Sequence, residues 1–426
     1  MLIYTSHITP RVLYTCEALF FGEGEITDSK EKFLAHTGAK INYSDDRFCD
    51  ALWIIPCGLL AEINIHEQKI VCAEWEGMKT FFVTPGDIPF DVFSASFYLL
   101  SRYEEYLPYE PDQYGRYWHE NCVAYKEGFL HLPLVDLWMK KLAEKVPGFG
   151  FRVSGFRFVP TYDIDIAYSY LHHSIARNVF GFYRDMLQGK FEAVAERANV
   201  YSGRKPDPFD VYDWLDGLHE QYHLQPMYFF LLAEKRKDKD KNINPHTKGM
   251  QQLIKRHAGK YITGIHPSWQ SGEDDNILAR EINILKETGG KQVLLSRQHY
   301  IKMMLPQTYR TLMNAGITDD YSMGYGTING FRSSYAQPYA WFDLERNTVT
   351  SLTIHPFCYM DATAVFQLRE TEEEAATELQ EYFDVVRSVN GELITIFHND
   401  FLTEQPEWIG WRKMYAAFLE KNFSVT

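Results

Sequence analysis

Two aspartates stand two residues apart in Thr161-Tyr162-Asp163-Ile164-Asp165, at the end of a short apolar run, and alternation along a strand turns both carboxylates to one side. Carboxylates so close do not both stay ionised cheaply unless a cation or a basic partner separates their roles. Four more apolar runs end in histidine: Gly264-Ile265-His266-Pro267, Ser296-Arg297-Gln298-His299, Ile354-His355 and Thr395-Ile396-Phe397-His398. Asp165 with His266 makes the first half of a divalent-metal site. His398 suits a general acid whose pKa a neighbouring carboxylate raises into the working range. Plainer roles stay open: the aspartates as an N-cap pair for a helix starting near Ala167, and each histidine as a polar group satisfied by backbone.

The elements around these residues alternate. After Pro147-Gly148-Phe149-Gly150, strands are expected at 156–162, 227–232, 261–266, 292–296, 351–354 and 393–397. Helices are expected at 167–187, 211–222, 274–288, 306–315, 372–389 and 408–423. Alternating β and α predicts a parallel sheet with helices outside, most economically a (β/α) barrel whose site lies at the carboxyl ends of the strands. Residues 1–150 mix short apolar runs (51–57, 80–83) with helical patterns at 90–106 and 134–146, and are expected to form an α+β domain ahead of the barrel at 151–426. The mixed-charge run 234–242 (EKRKDKDKN) is expected as a solvated loop. In the long loop 321–342, Arg332 could pair with a catalytic carboxylate. Tyr325, Phe331, Tyr335, Tyr339 and Trp341, with Trp269, offer flat faces for sugar rings, simple packing being the alternative.

Composition narrows the classes. The 426 residues are 45% hydrophobic, enough to bury a core, and carry 43 Lys and Arg against 57 Asp and Glu, a net charge of −14. An acidic chain with no basic stripe argues against nucleic acid or an anionic membrane as the main partner. The longest apolar run, 51–61, is broken by Pro56 and Gly58 and falls short of a membrane span. The start, MLIYTSHITPRVLY, lacks the basic and apolar regions of a secretion signal, so a soluble cytoplasmic protein is expected. Six cysteines with no CxxC pair read as reduced thiols.

Taken in order, Thr161-Tyr162-Asp163-Ile164-Asp165, Gly264-Ile265-His266, Gly330-Phe331-Arg332 and Ile396-Phe397-His398 resemble the polysaccharide deacetylase (NodB-homology) family. The similarity is to a bacterial branch with an extra amino-terminal domain carrying SRYEEY-like and YGRY-like segments, here 101–106 and 114–117. The resemblance covers roughly 155–425. It implies a distorted (β/α) barrel that hydrolyses acetyl groups from carbohydrate with one divalent metal, zinc first, in cell-surface polysaccharide metabolism. It also implies Asp163 as general base, Asp165 and His266 as metal ligands, Arg332 as the group orienting the base and His398 as general acid. Gln270 stands where the family has a second histidine, and glutamine is a poor zinc ligand. Three outcomes follow: His299 supplies the third ligand; Gln270 or Ser271 holds the ion through oxygen or water; or the site is empty and the protein binds carbohydrate without catalysis.

Overall fold

Short parallel strands need crossover connections, and the amino-terminal sequence supplies them as helices. The computed structural model describes residues 1–149 and 155–424, so the expected boundary at 150/151 lies outside the described residues. Strands β1 (Leu2–Thr5), β2 (Glu25–Thr27), β3 (Lys40–Tyr43) and β4 (Leu52–Ile54) pair in the order β2-β1-β3-β4, all parallel. Helices Pro10–Phe20 and Lys30–Ala35 make the first two crossovers, each capped by a side chain, Thr9 and Ser29. This part is therefore an α/β unit rather than the α+β unit expected, with one antiparallel hairpin, β5 (Ala73–Trp75) and β6 (Met78–Thr80).

The second sheet is built from β7 (Arg157–Ile164), β8 (Met227–Leu231), β9 (Ile262–His266), β10 (Leu295–Ser296), β11 (Asp319–Asp320), β12 (Tyr339–Asp343), β13 (Thr348–Ile354), β14 (Tyr359–Met360) and β15 (Glu392–His398). Central strands β7, β8 and β15 are buried nearly end to end on both faces, as expected under helices on a parallel sheet. The order is β12-β13-β11-β10-β9-β8-β7-β15-β14, and every neighbouring pair is parallel except β12 with β13. Among the described residues no ladder joins its two ends, so the hydrogen-bonded ring of a closed barrel is not present. The sheet nonetheless curls. In a flat sheet β11 and β15, five steps apart, would be about 24 Å from each other. Yet His355 reaches Asp319 of β11 at 3.0 Å and Glu392 of β15 at 3.1 Å.

The loop 321–342 does not face solvent. Tyr325, Tyr335 and Trp341, expected as sugar platforms, are 2%, 1% and 2% exposed. They pack beneath residues 1–149, where the apolar side chains of both parts form one continuous core. The Tyr335 hydroxyl donates to the Ala18 carbonyl at 2.9 Å, and the Ala336 amide donates to Asp136 at 2.8 Å. Aromatic bulk here is packing, because each ring is worth most when fully removed from water.

Arg332 belongs to this seam as well. Its Nη2 and Nε meet the two oxygens of Glu105 at 2.6 and 2.8 Å, and Arg102 donates to Glu105 from the other side at 2.7 Å. Burial alone would raise the Glu105 pKa, but Arg332 and then Arg102 outweigh it and hold the carboxyl below its usual range. The SRYEEY segment thus contributes a structural clamp. Removing one partner strands a buried charge, so Glu105→Ala is expected to lower unfolding stability by about 3–5 kcal/mol in urea titrations. A loss under about 1 kcal/mol contradicts this reading of the seam.

Candidate functional site

Parallel strands deliver their carboxyl ends to one rim, and five chemically capable side chains arrive there. Asp163 lies near the end of β7 and Asp165 one residue past it; His266 ends β9, His299 follows β10, and His398 ends β15. Register places His398 directly beside Asp163 on the adjacent strand. The aspartates are not a helix cap, since the next helix begins at Ile175 with Ser174 as its N-cap.

Asp165 stands at the centre. Its Oδ1 is 3.1 Å from His266 Nε2 and its Oδ2 is 3.2 Å from His299 Nε2. One ligand atom from each of Asp165, His266 and His299 fits within 4.8 Å of the others. Asp163 Oδ2 lies 3.7 Å from His266 Nε2, and His398 Nε2 lies 3.7 Å from Asp165 Oδ2.

Outer partners fix how these groups face. His266 Nδ1 donates to the Arg297 carbonyl at 2.5 Å, and His299 Nδ1 donates to Asp240 Oδ1 at 3.1 Å. Both rings therefore turn Nε2 toward Asp165, the orientation that outer hydrogen bonds impose on metal-binding imidazoles. Asp240 also accepts from the Trp269 amide at 2.8 Å and from Gln270 Nε2 at 2.9 Å. Gln270 thus faces the group behind His299.

The arginine that pairs with Asp163 is Arg297 rather than Arg332. Fully buried, it donates from Nη1 to Asp163 Oδ1 at 2.9 Å and to Thr161 Oγ1 at 2.6 Å, and from Nε to the Tyr321 carbonyl at 3.1 Å. Arg332 sits in the seam with Glu105, so its assignment as the orienting arginine is corrected. On the other side, His398 Nδ1 donates to Asp361 Oδ1 at 2.6 Å, and the His398 amide donates to Asp361 Oδ2 at 2.7 Å.

Asp240, Arg297 and Asp361 were not anticipated. Arg297 was visible at its strand end, two residues before His299. Asp240 lay inside the run read as a solvated loop, yet it and Asn242 are buried. Asn242 ties that run to the sheet by accepting from the Ala167 amide and donating to the Ile164 and Leu231 carbonyls. Asp361 follows a two-residue strand, too short for any periodicity.

The five residues line a cavity of about 260 Å³ together with Tyr114, Arg116, Lys239, Lys241, Tyr300, Phe366, Phe401 and Asp400. Its aromatic wall is Tyr114, Tyr300, Phe366 and Phe401. Of the other expected platforms, Phe331 and Tyr339 are buried, and Trp269 does not line the cavity but stands edge-on to Tyr114 and Tyr300 with ring centroids 5.9 and 5.8 Å away. The amino-terminal part thus lends the cavity two side chains, Tyr114 and Arg116.

Charge in the cavity is organised around carboxylates. Burial opposes protonation of His299 and His398, but the neighbouring carboxylates outweigh it. Asp165 and then Asp240 hold His299 up at about 9; Asp361 and then Asp165 hold His398 up at about 10. Burial would raise Asp165, yet His299 and His266 hold it well below the usual range. Burial pushes Asp400 up to about 7.

A family model described as "Family of unknown function (DUF7033)" matches residues 1–148. No curated protein matches the chain. Solved structures that it resembles include a protein from Mycobacterium smegmatis described as a polysaccharide deacetylase, 14% identical, with a TM-score of 0.39, over 64% of this chain and 87% of that one. Puue allantoinase is 12% identical with a TM-score of 0.37, over 64% and 91%. A polysaccharide deacetylase from Bacillus cereus is 10% identical with a TM-score of 0.32, over 64% and 92%. Likeness at this level carries no functional argument, which rests on the site itself.

Without a bound cation, each charged imidazole contributes stability that is full below the ordinary histidine pKa of ~6.5 and is lost as pH rises through the folded value. In the metal-free protein, His299 is expected to titrate near 9 and His398 near 10 by imidazole NMR. Unfolding stability should fall over the same window, and Asp165→Asn should move the His299 titration down. Titration of both rings at or below 6.5 contradicts the arrangement.

Proposed function

We propose that the chain is a metal-dependent hydrolase that removes acetyl or similar acyl groups from a carbohydrate, in cell-surface polysaccharide metabolism, on a distorted barrel of the deacetylase type. The observation that carries this reading is the cluster of Asp165, His266 and His299 with Asp163 and His398 on either side. One carboxylate and two imidazoles form a donor set suited to zinc. Asp165 Oδ1 is buried with no well-aligned hydrogen bond, its nearest basic neighbour being His266 Nε2 at 3.1 Å, which leaves it free to meet a cation. The residues fit the ion, and His299 completes the set that Gln270 does not.

A divalent ion held there supplies Lewis-acid polarisation of an acyl carbonyl and makes water more acidic. Asp163, held by Arg297 through Oδ1, keeps its other oxygen toward His266 and the cavity and accepts the attacking water's proton. His398 keeps its proton at neutral pH through Asp361 and delivers it from Nε2 to the leaving nitrogen or oxygen. The cavity wall binds the sugar through Tyr114, Tyr300 and Phe401. The purely carbohydrate-binding alternative drew on Tyr325, Tyr335 and Trp341, which are buried and offer no platform.

With zinc or cobalt, the protein is expected to release acetate from acetylated amino sugars. Asp163→Asn and His398→Ala should each lower kcat by about 10²–10⁴-fold with the metal retained. Asp165→Ala should lose stoichiometric metal. Activity that survives Asp163→Asn, or a flat metal titration of the wild-type chain, contradicts the proposal.

A further inference from the structure

The helix Ile175–Leu187 is inside out. Its buried residues are Asn178, Gly181 and Asp185, a polar and small-residue face. That face closes on Arg197 of the following helix, Phe191–Tyr201: Arg197 Nη1 donates to Asn178 at 3.1 Å and Nη2 to Asp185 at 2.8 Å. A side chain at Gly181 would collide with the same guanidinium, the nearest atom lying 2.8 Å from where a Cβ would stand. The apolar side chains point the other way. Ile175 is 84% exposed, Phe180 70% and Leu187 86%, with Val179, Tyr183 and Met186 between them. At 100° per residue these six cover an arc of roughly 140°. Phe191, 69% exposed, extends the patch into the next helix.

Water-soluble helices turn such a stripe inward, so an exposed one of this size marks a surface that another apolar phase covers. The charge around it identifies the phase. Arg177 and Arg184, both exposed, fall just past one edge of the arc. Residues 174–206 carry six Lys or Arg against three Asp or Glu, in a chain whose net charge is −14. Beside the start of the helix, Arg236 faces His173, and exposed Lys235 and Lys237 flank it. An apolar stripe edged by arginines that can snorkel is the pattern of a helix lying in the plane of an anionic bilayer.

The location matters too. Glu196 of the second helix accepts from Gln405, on the connection after β15 that also carries Phe401 of the cavity wall. The hairpin therefore stands at the same end of the sheet as the cavity.

We propose that this helical hairpin docks on an anionic membrane surface, holding the cavity at the lipid interface. The inference is independent of the catalytic reading and is tested apart from it. The full-length chain should co-sediment with vesicles of equal phosphatidylglycerol and phosphatidylcholine, less so with phosphatidylcholine alone, and less so as salt is raised. The variant Phe180→Ser/Leu187→Ser/Phe191→Ser should bind at least tenfold more weakly with unchanged circular dichroism. Arg177→Glu/Arg184→Glu should lose the preference for anionic lipid. Equal sedimentation of the triple serine variant and the wild type, or a wild type that stays in the supernatant, overturns the proposal. So does a wild-type dimer that the triple variant converts to monomer, which would make a second copy the occupant.

Discussion

The site depends on a single carboxylate held between two imidazoles. Asp165 is kept ionised because His266 and His299 face it through Nε2, and they do so because their Nδ1 atoms are committed to the Arg297 carbonyl and to Asp240. Asp165 is only partly exposed, and a carboxylate withdrawn from water favours neighbours that supply positive charge, by proton or by cation. The donor set is suited to either source. Metal affinity would then depend on pH, since the imidazole protons must leave as an ion enters.

The same economy recurs at the flanks. Arg297 runs through the interior from β10 to β7, spending its guanidinium on Asp163, Thr161 and the Tyr321 carbonyl, over the Phe229 ring at 4.4 Å. Asp361 pins both the ring and the backbone of His398. Asp163 and His398, the proposed base and acid, are thereby each held by a partner that does not line the cavity, the kind of pre-set geometry on which hydrolytic catalysis relies.

The central parallel strands were legible in the sequence because their apolar runs stand out; β7, β8, β9 and β15 fall within two residues of expectation, whereas the helices Phe191–Tyr201 and Lys248–Lys260 were not expected and the helix expected from 167 begins at Ile175. Also legible was the gathering of Asp163, Asp165, His266, His299 and His398 at one rim, since strand-end position survives any error in sheet closure. Three features were hidden. The parallel pairing of β1 to β4 is set by crossovers between strands of three or four residues, too short to show alternation. The role of Arg332 followed from motif order, whereas Glu105, 227 residues away, decides its placement through a contact no local pattern records. Asp240 was masked by its lysine neighbours, because a charge run read as a whole says nothing of the one member that turns inward. Net charge likewise averages over the helix Ile175–Leu187, where a local basic rim stands on an acidic chain.

The metal-binding role of Asp165, His266 and His299 is tested by an anomalous-scattering map at the zinc edge from crystals of the zinc-loaded protein. One strong peak is expected, bonded to a carboxylate oxygen of Asp165 and to Nε2 of both His266 and His299, with Gln270 still turned to Asp240. A peak coordinated without Asp165 or His266, or no peak in this cavity, would contradict it.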